Sequence, residues 1–343
     1  MKYKKTIILS VCLIAYIGFI ISRYNTTTEL DVDTALQEEQ MTVITSFYPM
    51  YMHVKELTKD VPINVRNMTS SQVGCLHDYQ LRVEDMKTLQ EGQILVINGL
   101  GAESFITKAY EQNKELQVIN ASETLEEILG YHEEEHNQED AHNAKEEHAD
   151  EAGDTHIEGN FEDEHSGHNH ANEHIWLSIE GSIEQVKNIS QGLQELDPKH
   201  KEQYKINEKN YVEELVGVKT EMQQELSGLK GRKIVLVHNS FEYLAEEIGL
   251  EIVAMISGEE EAPTAREVEE IIKLIEENQI QRIFTELQYK NLGIVKTIGR
   301  ESKSTIYELD SLVTTGSQVN QGEVEYVQRM RKNIEVLKEA YGL

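Results

Sequence analysis

KIVLVHNSFEYLAEEIGLEIVAMI, residues 233–256, decides the fold. An almost unbroken apolar run, KIVLVH, gives way to an amphipathic stretch, SFEYLAEEIG, and then to a second β-rich run, EIVAMI. Strands covered on both faces read as continuous apolar runs, and two of them joined through a helix lie parallel. Downstream the alternation continues. TAREVEEIIKLIEENQ is a helix in which Thr264 and Glu267 form a capping box. Strand RIFTE (282–286), a helix through 290–300, strand TIYELD (305–310) and a last helix from about Glu323 to Tyr341 follow.

Upstream the same rhythm is present. MTVITSF (41–47), VPINVRNM (61–68), ILVING (94–99) and LQVINA (116–121) read as strands. Between them Met50–Leu57, RVEDMKTLQEG (82–92) and ESFITKAYEQN read as helices. The fold class is therefore α/β, with two lobes, each a parallel sheet flanked by helices. Tyr204, Tyr211, Leu215, Val218, Met222, Leu226 and Leu229 recur at helical spacing. They predict one long helix of about 30 residues, roughly 45 Å, acting as a rigid strut. The expected organisation is a lobe over 41–197, a linking helix over 198–230 and a lobe over 231–343.

Charge narrows the partners. Lys and Arg number 32 against 62 Asp and Glu, a formal net charge of −30. That balance argues against nucleic acid as a partner and in favour of cations. Residues 131–173 alone hold 15 acids, one Lys and eight His. Their only apolar residues larger than alanine are Tyr131, Ile157 and Phe161, so this segment is expected to be disordered. Within it His132 to His136 reads HEEEH, the H-E-x-x-H pattern of helical zinc proteases. A protease needs that motif on a packed helix, and no apolar stripe is present to dock one. The expected role is a mobile, low-affinity metal collector built from His132, His136, His142, His148, His156, His165, His168 and His170. A merely solubilising acidic loop is the alternative. Protonation should abolish capture there below roughly pH 6.

Lys2, Lys4 and Lys5 precede an uncharged, mostly apolar run from Thr6 to Ser22, the pattern of an export signal or signal-anchor over 1–23. Residues 24–40 read as a tether. An uncleaved anchor is favoured over cleavage or lipidation at Cys12, and each option leaves the body outside the cytoplasm. Cys75 has no partner outside the anchor, so no disulfide framework is expected.

Open parallel sheets bind ligands beyond the carboxyl ends of their strands. His238 closes KIVLVH, Glu286 closes RIFTE and Asp310 closes TIYELD. His77 lies in the loop after the second strand, and His174 stands where order returns after the acidic segment. Singly, each has a plainer reading. His238 could be a hydrogen-bonded rim residue, His77 an exposed loop residue, Asp310 a cap, and Glu286 the partner of Lys290. Together they offer three imidazoles and one or two carboxylates at one crevice, a set that suits zinc.

GCLHDYQLRVEDM (74–86), NEHIWLSIEGSI (172–183), LVHNSFEYLAEEIGLEI (236–252), IFTELQYKN (283–291) and ELDSLVTTG (308–316) resemble, in order, the signature blocks of zinc/manganese solute-binding proteins of ABC importers. The resemblance covers residue 41 to the C-terminus. It implies His77, His174 and His238 as nitrogen ligands and Asp310 as the oxygen ligand, with Glu286 as support or alternate donor. A histidine at position 238 goes with the zinc branch, so Zn2+ is expected ahead of Mn2+. Cys75-Leu76 before His77 and Ser178-Ile179 after Trp176-Leu177 depart from the usual pattern and bear on loop geometry.

The expected function is capture of Zn2+ between two lobes and delivery to an ABC permease in the cytoplasmic membrane by a monomeric, non-enzymatic receptor. A surface adhesin or zinc buffer working through the His-rich loop is the alternative. A zinc hydrolase is disfavoured, because three histidines and an aspartate fill the tetrahedron that catalysis leaves open.

Overall fold

Thr42–Thr45 forms β1, and it is followed by α1 (Tyr48–Leu57), β2 (Asn64–Asn67), α2 (Val83–Gln90), β3 (Ile94–Ile97), α3 (Thr107–Glu111) and β4 (Gln117–Asn120). The computed structural model describes residues 40–69, 76, 79–125, 172–256, 263–314 and 325–343. The expected anchor, nearly all of the tether, Cys12, Cys75, His77 and the eight loop histidines lie outside them. Among the described residues no helix is long and apolar enough to cross a membrane.

β1 pairs in parallel with β2 on one side and β3 on the other, and β3 pairs with β4, giving the order β2-β1-β3-β4. The second sheet repeats that order as β6-β5-β7-β8, with β5 (Lys233–Leu236), β6 (Glu251–Met255), β7 (Arg282–Glu286) and β8 (Thr305–Leu309), all parallel. Helices α6 (Glu242–Glu247), α7 (Ala265–Glu277), α8 (Gly293–Glu301) and α9 (Glu325–Tyr341) follow the strands of this second sheet. Ile44, Met68, Leu89, Leu95 and Ile106 bury together beside the first sheet. Val235, Ile271, Ile275, Ile283 and Ile298 do so beside the second. In each sheet the strand order reverses beside the first strand, and the crevice of an open parallel sheet lies at that point. In the second sheet it falls between β5 and β7, whose ends carry His238 and Glu286.

Between the sheets run α4 (Ile179–Leu196) and α5 (Lys201–Glu225), packed along each other. The expected strut is thus the second arm of a helical hairpin. Pro198–His200 and Ser227–Leu229 are 3₁₀ turns, which trims the α-helix to 25 residues, about 38 Å. Tyr204, Tyr211, Leu215, Val218 and Met222 are its buried stripe, as their spacing requires. The capping box at Thr264 and Glu267 is present.

Two expectations are corrected. The helix expected over ESFITKAYEQN shrinks to Thr107–Glu111. Gly99, Leu100 and Gly101 all adopt positive φ. The turn they make brings the Glu103 carboxylate back onto the main-chain N–H groups of Asn98 and Gly99 and the Ser46 hydroxyl. Asn172 and Glu173, counted at the end of the segment expected to be disordered, are held in place, Glu173 by burial and Asn172 by hydrogen bonds to the second half of the chain.

Candidate metal centre

The residues around His174 form a 3₁₀ turn, His174–Leu177, that leads into α4. Ser178 caps α4 by accepting the Gly181 N–H at 2.7 Å. Glu247, from α6, accepts the main-chain N–H groups of Ile179 at 3.1 Å and Glu180 at 2.9 Å and the Ser178 hydroxyl. A carboxylate there satisfies donors that a helix start leaves open and meets the positive end of its dipole. Burial nevertheless pushes the Glu247 carboxyl up, against the three bonds that pull it down. The Trp176 indole N–H donates to the main-chain oxygen of Ser311 at 3.0 Å, and the Tyr326 hydroxyl to that of Trp176 at 2.8 Å. A turn that precedes the helical hairpin in sequence is therefore fastened to the second sheet.

His238 follows β5 in extended conformation, and its ring meets that of His174 edge to face at 5.0 Å between centroids. Both are buried, at 5% and 3% exposure. His238 Nδ1 lies 3.2 Å from Glu286 Oε1. Glu286, the last residue of β7, is also buried, and the Ser240 hydroxyl and the Gln288 amide donate to its two oxygens. Burial pushes this carboxyl up. The hydrogen bond and charge of His238, the Ser240 hydroxyl and the charge of His174 outweigh that, and it sits below its ordinary value.

Asp310 stands just past β8 in a different setting. Arg329, itself buried, donates from Nε to Oδ2 at 2.7 Å and from Nη2 to Oδ1 at 2.6 Å. Leu312 N–H donates to Oδ1 at 2.9 Å, and Asn333 brackets the Asp310 peptide on both sides. Arg329 also lies 3.6 Å from Glu325, which accepts the Tyr48 hydroxyl at 2.7 Å. A carboxylate offers about four acceptor sites, so the paired guanidinium orients Asp310 without exhausting it.

Of the expected set, then, the structure brings His174, His238 and Glu286 together and gives Asp310 a rigid mount. His77 is outside the described residues. Among the described residues no group of three or more His, Cys, Asp or Glu side chains is placed to hold a metal ion. The donors present, two buried imidazoles and a buried carboxylate, are chemically suited to a borderline divalent cation and incomplete as a coordination shell. Three contributors went unread in the sequence: Asn172, Arg329 and Glu247. Arg329 left a trace, being a cation on the same helical face as Tyr326, Met330, Asn333 and Leu337. Asn172 left none.

The zinc-binding protein AdcA of Streptococcus pyogenes is 24% identical over 309 residues, covering 88% of this chain and 56% of that protein. This chain thus spans about half the length of that relative. The high-affinity zinc uptake system protein ZnuA of Bacillus subtilis is 25% identical over 320 residues, covering 92% of each. The structure of the laminin-binding protein Lmb of Streptococcus agalactiae, described as having adhesin and metal-transporting activity, superposes with a TM-score of 0.67 at 24% identity. That match covers 88% of this chain and 99% of the other, and at this identity it bears on the fold alone. Residues 43–340 match the family of periplasmic zinc-uptake complex component A, and the chain belongs to that family.

Proposed function

We propose that this protein is an extracytoplasmic receptor that captures Zn2+ as cargo and hands it to an ABC permease, acting as a monomer. The observation that carries this reading is the meeting of His174 and His238. They are two buried imidazoles whose elements precede and follow the helical hairpin in sequence, with ring centroids 5.0 Å apart and Glu286 against one of them. A cation shared by the two rings would account for burying them side by side. His77 and Asp310 would complete the shell, with Glu286 orienting His238 or substituting as oxygen donor. Three nitrogens and one oxygen would saturate a tetrahedron, which fits transport rather than hydrolysis. The acidic, His-rich segment would raise the local cation concentration and pass ions to the cleft. The N-terminal run would hold the protein at the outer face of the membrane.

Metal titration of the purified protein tests this. One tight zinc equivalent should survive deletion of residues 131–171 and disappear in His77→Ala, His174→Ala, His238→Ala and Asp310→Ala. Extending the deletion through Glu173 should weaken binding, since Asn172 and Glu173 belong to the folded body. Tight binding that vanishes with the loop, leaving several weak sites, would instead favour the zinc-buffer reading.

A further inference from the structure

Asn172 stands two residues before His174 and touches both imidazole-bearing segments. The orientation of its amide follows from its partners. Nδ2 donates to the main-chain oxygen of Asn239 at 3.0 Å and to Glu242 Oε2 at 2.7 Å. A carbonyl has no proton to give, so that end of the amide is the nitrogen and the other end is the oxygen. Oδ1 accepts the His174 main-chain N–H at 3.0 Å and lies 2.7 Å from His174 Nδ1. An amide oxygen only accepts, so the proton of the neutral imidazole is on Nδ1 and the lone pair is on Nε2.

We propose that Asn172 is a positioning residue for cation capture: it locks His174 in the Nδ1–H tautomer, with Nε2 as the donor atom, before the cation arrives. The proposal rests on the metal-capture reading above. The geometry gives Asn172 a second task. Asn239 directly follows His238, and the main-chain oxygen of Asn172 accepts the Tyr243 hydroxyl at 2.9 Å. One side chain thereby fixes the ring of one nitrogen donor and the peptide beside the other. Glu286, 3.2 Å from His238 Nδ1, stands to that ring as Asn172 stands to His174. Outer partners of this kind set ring orientation and donor basicity at metal sites. The Glu173 carboxylate lies farther from Nδ1, at 3.6 Å, beyond a normal hydrogen bond.

The experiment is long-range proton–nitrogen NMR on the metal-free full-length protein carrying 15N-histidine, which reports directly which ring nitrogen carries the proton. The His174 signals are assigned by their loss in His174→Gln. The wild type should show His174 protonated at Nδ1. Asn172→Ala should mix the tautomers and weaken zinc binding by about 10–100-fold at unchanged stoichiometry. Asn172→Asp combined with Glu242→Gln keeps an acceptor for Nδ1 and exchanges donor and acceptor with Glu242, but loses the bond to the Asn239 carbonyl, so it should restore the tautomer and only part of the affinity. The wild type with His174 protonated at Nε2 would overturn the proposal. So would an Asn172→Ala protein with unchanged tautomer and affinity, or a folded double variant that does not recover the Nδ1–H tautomer. Failure of the metal-capture reading would look different: no tight zinc in the wild type, whatever the tautomer.

Discussion

His53 gives the sharpest quantitative test of how the two halves are joined. It sits on α1, fully buried, with Nδ1 2.9 Å from the Tyr211 hydroxyl on α5 and its ring 5.0 Å from that of Tyr326 on α9. Among the described residues nothing hydrogen-bonds its Nε2. Burial pushes its pKa down to about 3. In the unfolded chain the same ring titrates at ~6.5. The native state therefore keeps His53 neutral while the unfolded chain takes up a proton. Its stabilising effect is complete above the unfolded pKa and is lost as pH falls toward the folded one. Between pH 7.5 and pH 4.5 the loss comes to about 2.7 kcal/mol. Against a total of ~5–15 kcal/mol for an ordinary domain, that is a large fraction. His53→Gln removes the titration and keeps an acceptor for Tyr211. Urea unfolding of metal-free wild type and variant at both pH values isolates the residue, because other groups contribute equally to the two proteins. The wild type should lose about 2.7 kcal/mol more than the variant over this window. Equal losses would show that His53 is hydrated or charged in the native state and would refute the reasoning.

Gly181→Ala should be costly, since its Cβ would stand 2.7 Å from the Ile175 main-chain oxygen, which cannot swing aside. A loss of about 1–3 kcal/mol in urea unfolding, with weaker zinc binding as the His174 turn shifts, is expected. Gly217→Ala is the matched control. Nothing lies within 4 Å of its Cβ position in α5, so a gain of about 0.5–1 kcal/mol with unchanged zinc affinity is expected. Arg329→Lys keeps the charge and loses the fork that grips both Asp310 oxygens, and should cost about 1–3 kcal/mol. A change under about 0.5 kcal/mol, the level of an exposed pair, would count against that grip.

The strands were legible because β3, and β5 after its first residue, are apolar on both faces, and a run such as ILVI admits few other readings. The α5 stripe was legible for the same reason, since periodic burial leaves a periodic sequence. Position then exposed His238 and Glu286, because residues at strand ends in a parallel sheet have a known destination. What escaped was everything decided by a single polar side chain reaching across the fold. Glu247 caps a helix that starts 68 residues earlier, and no local pattern marks it. The shortening of the helix after β3 was equally hidden. Leu100 at positive φ is a tertiary outcome that propensity opposes, stabilised by the carboxylate of Glu103 among main-chain donors.

The way the His174–Leu177 turn is fastened bears on how an ion could leave. Trp176 is tied to Ser311, the start of α4 to Glu247, and Asn172 to Asn239, while the Asn98 amide holds the Glu173 carbonyl to the end of the first sheet. His174 and His238 then behave as parts of one wall rather than as opposing jaws. Swinging the sheets apart would tear those ties before it separated the two rings.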